Sequence, residues 1–294
     1  MKKLIIASGA LLLLTGCGAL SEDSRAGEPA SPQPVVEDIK PAASPDPQAV
    51  DKVQTIFALS PTTRQALGKT TAQCMADRGF PNTNPEVPET QEIHFLSKPL
   101  TVEQAREHGY ERLDGSATAE HEEQDQDGKL TQEEAEKKHV AFMGSGKEGA
   151  IQGPGGGSIN KDGCVAKSYE AVFGSAETGA IFMGADNLSL PYMNAAMQDG
   201  RVSDVSRRWS ECMKDQYHLV AESPERVVVD IPNADKNVAI SDAQCRVKVD
   251  YDATVRNTTN AYLTTFLKDK QEILDKVATA KKAAEENAPK ILGR

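Results

Sequence analysis

The longest regular pattern of apolar and polar positions lies near the C-terminus of the chain. Residues 241–287 contain no proline and no glycine, and alanine, lysine, glutamate and leucine, which are strong helix formers, fill much of this stretch. The apolar side chains recur at helical spacing, at Cys245, Val249, Val255, Tyr262, Phe266, Ile273, Leu274 and Val277. The pattern predicts one long C-terminal helix, which at 1.5 Å per residue would measure about 60–70 Å.

Shorter stretches upstream predict further helices. Ser60 and Pro61 are typical of an N-cap and a first helical turn, and that helix would run to about Arg78 before Gly79. Other helices are predicted at residues 49–59, 101–108, from 131 onwards, and at 164–173, 191–198 and 201–217. Only residues 91–96 and 226–231 favour short strands. The fold class is therefore predicted to be mainly α.

The glycine-rich stretch 144–157 does not have the features of a nucleotide-binding loop. Gly146 and Lys147 are followed by Glu148, where a phosphate-binding loop needs Ser or Thr, and no buried strand precedes the stretch. It is predicted to be a mobile connector.

The N-terminus has the pattern of an export signal. Lys2 and Lys3 precede the apolar run Leu4–Leu14, which is too short to cross a hydrocarbon layer of about 30 Å as a helix. The following Leu14-Thr15-Gly16-Cys17 resembles the lipobox of bacterial lipoproteins. That resemblance implies that residues 1–16 are cleaved as a signal peptide and that Cys17 carries the lipid. The alternative is an ordinary signal peptide with a chance cysteine.

Charge and composition bear on how the mature chain contacts its surroundings. Loss of Lys2 and Lys3 takes the formal net charge from −11 to −13, which does not favour nucleic acid or an anionic lipid surface as a partner. Residues 17–48, which are rich in Pro, Ser, Ala, Glu and Asp, predict a disordered tether after the lipidated cysteine. The expected location is the extracytoplasmic side of the cell membrane, with the lipid as the membrane contact.

Four cysteines remain besides Cys17, which in an exported protein favours two disulfides. Cys74 and Cys212 are each followed by Met late in a predicted helix, whereas Cys164 and Cys245 each open a later one. This weak internal repeat predicts the pairs Cys74–Cys164 and Cys212–Cys245. The pairs suggest two helical lobes, at 49–175 and 190–294. A zinc site is disfavoured, because there is no Cys-x-x-Cys and no His at ligand spacing.

Several short motifs together resemble a group of uncharacterised actinobacterial lipoproteins. They are the lipobox, Cys74-Met75-Ala76-Asp77-Arg78-Gly79-Phe80, Ala105-Arg106-Glu107-His108-Gly109-Tyr110, the glycines at 153–157 before Gly163-Cys164, Trp209-Ser210-Glu211-Cys212-Met213, and Cys245 before the terminal helix. The chain departs from the group where Tyr217 lacks a preceding Gly and where residues 119–136 are unusually acidic. The resemblance implies location and architecture, and no activity.

Residues 123–134 resemble an EF-hand calcium loop. In that register Gly128 takes the sixth position, where the backbone turns sharply, and Glu134 takes the twelfth, which supplies a bidentate carboxylate. The complete candidate ligand set is Glu123, Asp125, Asp127, the carbonyl of Lys129, Thr131 and Glu134. Against calcium, the first position is Glu rather than Asp, and no second hand is visible. The alternative is a solvated acidic loop before a well-capped helix.

Two functions of different classes remain open. One is a lipid-anchored, non-enzymatic module that binds a ligand or a protein partner at the cell surface. The other is an exported domain that binds Ca²⁺ through residues 123–134. The five histidines are scattered and no Gly-x-Ser-x-Gly motif occurs, so no residue pattern favours an enzyme. Trp209, which shares a helical face with Val205 and Met213, is expected in the core rather than as a carbohydrate-stacking residue.

Overall fold

A computed structural model describes residues 39–81, 99–110 and 130–294 of the chain. The described part is mainly helical, as the sequence predicts. The helices are α1 (Ala49–Phe57), α2 (Pro61–Asp77), α3 (Val102–His108), α4 (Gln132–Met143), α5 (Cys164–Phe173), α6 (Ala176–Ala185), α7 (Leu190–Met197), α8 (Gly200–Tyr217), α9 (Val227–Asp230), α10 (Lys236–Val249), α11 (Tyr251–Asp269) and α12 (Gln271–Leu292). None of the helices in these ranges is long and apolar enough to cross a membrane. The expected strand at 91–96 falls outside the described residues.

The helix starts follow local capping rules. Ser60 Oγ accepts a hydrogen bond from the Thr63 amide at 3.1 Å, and Pro61 stands in the first turn of α2. Thr101 and Gln104 form a capping box on α3, and Thr131 and Glu134 form one on α4. α3 ends at Gly109, which has a φ of 62°.

The core extends across the whole folded region. α12 packs against α2, α5 and α6, and this interface buries Val277, Ala280 and Ala284 against Leu67, Val172 and Phe182. α11 packs against α1, α7 and α8. The described residues accordingly form one compact unit. The predicted lobes at 49–175 and 190–294 pack against each other, because α12 buries apolar side chains of α2 and α5; the division into two lobes stays a prediction.

The C-terminal stretch ends in a long helix, as predicted, but it is not one continuous helix. It is divided into α10, α11 and α12 by breaks at Asp250 and Lys270. Asp250 has a φ of 59°, in the left-handed region that ends a right-handed helix. The turn lets α11 pack on the same core as α10 instead of extending away from it.

The glycine-rich segment is a hairpin rather than a mobile connector. β1 (Ala150–Gln152) pairs antiparallel with β2 (Ser158–Asn160), and the turn between them lies on α6. A Cβ on Gly155 would lie 2.1 Å from the carbonyl oxygen of Gly184. Glycine is needed at this position because the two backbones approach too closely for any side chain.

Two further expectations differ from the structure. Residues 226–231, expected to be a strand, form a 3₁₀ turn (Pro224–Arg226) followed by α9, because Val227 packs into the core from a helical turn. Residues 39–48, expected to belong to the tether, lie against α11. There Thr265 Oγ1 donates to the Lys40 carbonyl at 2.9 Å, and Asn260 donates to the Pro47 carbonyl at 2.8 Å. Hydrogen bonds from α11 thus compensate for the low apolar content of this segment.

Both predicted cysteine pairs are disulfides in the structure. Cys74–Cys164 joins α2 to the start of α5, and Cys212–Cys245 joins α8 to α10.

Candidate functional site

The candidate calcium loop is described only at its C-terminal end. Glu123, Asp125, Asp127 and Lys129 lie outside the described residues. Thr131 is the N-cap of α4, and Glu134 is the third residue of that helix. One oxygen of the Glu134 carboxylate accepts hydrogen bonds from the Thr131 amide and hydroxyl, each at 2.8 Å. These hydrogen bonds hold the pKa of the Glu134 carboxyl below its usual value, so the group is ionised at neutral pH.

Helix α4, which carries these two residues, is exposed along most of its length. Its one buried residue is Ala141, in the last turn. Ala141 and Phe142 pack with Met75, Cys74 and Cys164, and Arg78 donates a hydrogen bond to the Ala141 carbonyl at 3.1 Å. The N-terminal two turns, with Glu133 and Glu134, face solvent. Among the described residues, the acidic side chains at this end of α4 bond only within the helix and its cap, Glu134 to Thr131 and Glu133 to Lys137.

A second concentration of polar groups is buried in the core around Asp242. The Asp242 side chain is fully buried, and one of its oxygens accepts hydrogen bonds from Trp209 Nε1 at 2.9 Å and Arg246 Nε at 2.8 Å. Its other oxygen accepts from the Tyr110 hydroxyl at 3.4 Å. Burial raises the pKa of Asp242, while the adjacent Arg246 guanidinium opposes that rise.

The same network reaches the surface through the first turn of α11. Arg246 Nη1 donates to Asp252 at 3.0 Å, and the guanidinium lies 5.6 Å from the centre of the Tyr251 ring. Tyr251 donates its hydroxyl proton to Glu225 at 2.9 Å. Burial raises the pKa of Asp252 and of Tyr251. Because Arg246 is only 2% exposed, a ligand could not reach its guanidinium without unfolding this region. We therefore assign the network a structural role.

Trp209 lies in the core, as the sequence predicts, whereas the buried network around Asp242 was not predicted. Trp209 is fully buried, and its ring nitrogen is satisfied by Asp242. The available signal was the Asp242–Arg246 spacing of four residues, which places opposite charges on one helix face. The same spacing also occurs on exposed helix faces, as in Arg207–Glu211, so it did not indicate burial.

In the described ranges, no group of three or more His, Cys, Asp or Glu side chains is arranged to hold a metal ion. Comparison of the chain with models of protein families, with curated proteins and with solved structures finds no match.

Proposed function

We propose that the protein is an exported, non-enzymatic module, held on the extracytoplasmic side of the cell membrane by lipid on Cys17, that serves a protein partner or ligand at the cell surface. The observation that carries the proposal is the distribution of cysteines. Four of the five form two disulfides within the folded unit, and the fifth is the cysteine of the lipobox-like sequence. Disulfides are typical of exported proteins, and a lipid anchor with more than one chain gives stable membrane attachment.

The anchoring proposal is tested by metabolic labelling with a palmitate analogue in a bacterial host that processes lipoproteins. Wild-type protein should incorporate label and sediment with membranes, whereas Cys17→Ala should do neither, because the thiol that accepts the lipid is gone. Ser21→Ala, four residues further on, is the matched control and should behave as wild type. Labelling of the Cys17→Ala variant at the wild-type level would refute lipidation at this position.

Calcium binding through residues 123–134 is the second candidate function. It is favoured by the start of α4, because the helix begins directly after the ninth loop position and carries the twelfth-position carboxylate in its first turn. The Glu134 side chain in this turn is exposed and ionised, as a hard cation requires. Binding would draw Glu134 out of its capping box, so the ion would compete with the two hydrogen bonds from Thr131.

Titration calorimetry of the disulfide-bonded chain with Ca²⁺ tests this candidate. The expected dissociation constant is about 10⁻⁴–10⁻³ M, the range of extracellular sites. Glu134→Gln should weaken binding by about tenfold or more, because Gln can keep the capping box but offers only one neutral oxygen to the ion. Glu133→Gln makes the same chemical change one residue away, where the side chain pairs with Lys137, and should bind nearly as wild type. Equal binding by all three proteins, or no binding at millimolar calcium, would rule the site out.

A further inference from the structure

The two disulfides have different surroundings. Cys212 and Cys245 are 6% and 0% exposed, and each lies well past the first turn of its helix. In the other disulfide, Cys164 is fully buried, but Cys74 keeps part of its surface exposed. Cys164 is also the first residue of α5, whose N-cap Gly163 offers no side-chain hydrogen bond to the helix. Attack from solvent and release of a thiolate are therefore both easier at Cys74–Cys164.

Helix α4 covers this disulfide with its last turn alone. Ala141 and Phe142 pack in one cluster with both cysteines, Met75 and Phe80, whereas the first six residues of α4, 132–137, are exposed. An isolated helix of 12 residues is marginal in water, so the order of α4 depends on this contact. The contact that orders α4 is also the contact that covers the disulfide, so when α4 detaches the disulfide becomes exposed.

We propose that Cys74–Cys164 is a redox-active disulfide, opened by a dithiol reductant through attack on Cys74, and that α4 controls access to it. Cys212–Cys245 is then the structural disulfide. The inference concerns the oxidation state of the folded unit and does not depend on lipidation or on calcium binding.

The exchange needs only a dithiol, such as the reduced form of an extracytoplasmic thiol oxidoreductase. One thiolate of the reductant attacks Cys74 Sγ, the bond between the two cysteines breaks, and the electron pair leaves on Cys164 Sγ. The positive end of the α5 dipole stabilises that thiolate, and a better-stabilised thiolate leaves faster. The second thiol of the reductant then displaces Cys74. The reductant ends as a disulfide, and its two protons pass to Cys74 and Cys164.

The first test measures how fast each disulfide opens. Oxidised protein with Cys17→Ser, which removes the fifth thiol, is treated with limiting dithiothreitol, alkylated at intervals and analysed by peptide mass spectrometry. Cys74 and Cys164 should become labelled about tenfold or more faster than Cys212 and Cys245. Equal rates, or faster opening of Cys212–Cys245, would overturn the proposal.

The second test asks whether α4 controls access. Ala141→Glu places a charge in the docking contact, where the residue is 7% exposed, and should accelerate opening of Cys74–Cys164 severalfold. Ala135→Glu, the same change on the exposed part of α4, should leave the rate unchanged. Opening of Cys212–Cys245 and Trp209 fluorescence report whether the fold survives. If Ala141→Glu changes the opening rate of Cys212–Cys245 or the fluorescence of Trp209, Arg78→Ala is used in its place. This second variant removes the hydrogen bond to the Ala141 carbonyl. No acceleration by the variant that keeps its fold would contradict control by α4.

The third test identifies the attacked sulfur. Glutathione is a monothiol, so its first exchange forms a mixed disulfide on the attacked cysteine and releases the other cysteine as a thiolate. Immediate alkylation of the released thiol traps this adduct before it exchanges again, and mass spectrometry locates it. The adduct should form predominantly on Cys74. An adduct predominantly on Cys164 would contradict the assigned direction of attack.

Discussion

Asp242 illustrates how one buried charge is made tolerable in this protein. A carboxylate moved from water into a protein interior is costly unless it is paired and hydrogen-bonded. Here Arg246 supplies the opposite charge, and Trp209 and Tyr110 supply further donors. The donors come from Tyr110 just after α3, from α8 and from α10, so a single side chain joins three parts of the chain. The arrangement makes the geometry of this region specific, whatever its net contribution to stability.

Asp242→Asn should destabilise the protein by about 3–5 kcal/mol, because it leaves Arg246 buried with one of its two carboxylate partners removed. Asp204→Asn is the matched control. Asp204 is 74% exposed and lies 3.7 Å from Arg207, so its replacement should change stability by no more than about 0.5 kcal/mol. Both values come from chemical denaturation followed by circular dichroism. A cost below about 1 kcal/mol for Asp242→Asn would mean that Asp252 alone satisfies Arg246.

At the scale of elements, the structure follows the sequence where local chemistry decides. The caps at Ser60, Thr101 and Thr131 form because each side chain reaches a backbone amide within its own helix turn. The cysteine pairing also agrees with the sequence, since the context of each cysteine within its helix was informative. The caps depend on residues close together in the chain, and the disulfides are covalent bonds between residues whose local context is distinctive.

Elements set by distant contacts were not predictable in the same way. The absence of Pro and Gly suggested a continuous helix, yet Asp250 adopts a φ of 59° so that α10 and α11 can both reach the core. The glycines at 153–157 suggested mobility, whereas Gly155 is required by the approach of Gly184 from α6. Propensity describes what a segment prefers alone, and packing against a segment far along the chain overrides it.

The start of α4 was predictable from the sequence, whereas the surroundings of the Cys74–Cys164 disulfide were not. Glu134 and Thr131 form the capping box that was the alternative to calcium ligation, and the two interpretations use the same residues. The Cys74–Cys164 environment could not be read from the sequence. That α4 covers the disulfide, with Ala141 against Met75, follows only from the folding together of segments more than 60 residues apart.

At the scale of the whole molecule, the two disulfides stabilise one core rather than two. Cys74–Cys164 spans 90 residues and Cys212–Cys245 spans 33. Helices from the region of each disulfide meet on α11 and α12, which connect the clusters around Trp209, Phe266 and Val277. Unfolding around one disulfide should therefore be accompanied by unfolding around the other.

Trp209 makes this testable, because it is the only tryptophan in the chain and lies near Cys212–Cys245, in a cluster that excludes Cys74 and Cys164. Replacing Cys74 and Cys164 by Ser should lower the denaturation midpoint reported by Trp209 fluorescence, in step with the midpoint from circular dichroism. In the loop-entropy model the cost is about 4–5 kcal/mol, and about 3–4 kcal/mol for the Cys212 and Cys245 double replacement. Independent lobes would instead leave the Trp209 midpoint of the first variant at its wild-type value, with a second, earlier transition visible only by circular dichroism. That result would show that the contacts of α12 with α2, α5 and α6 do not couple the two regions.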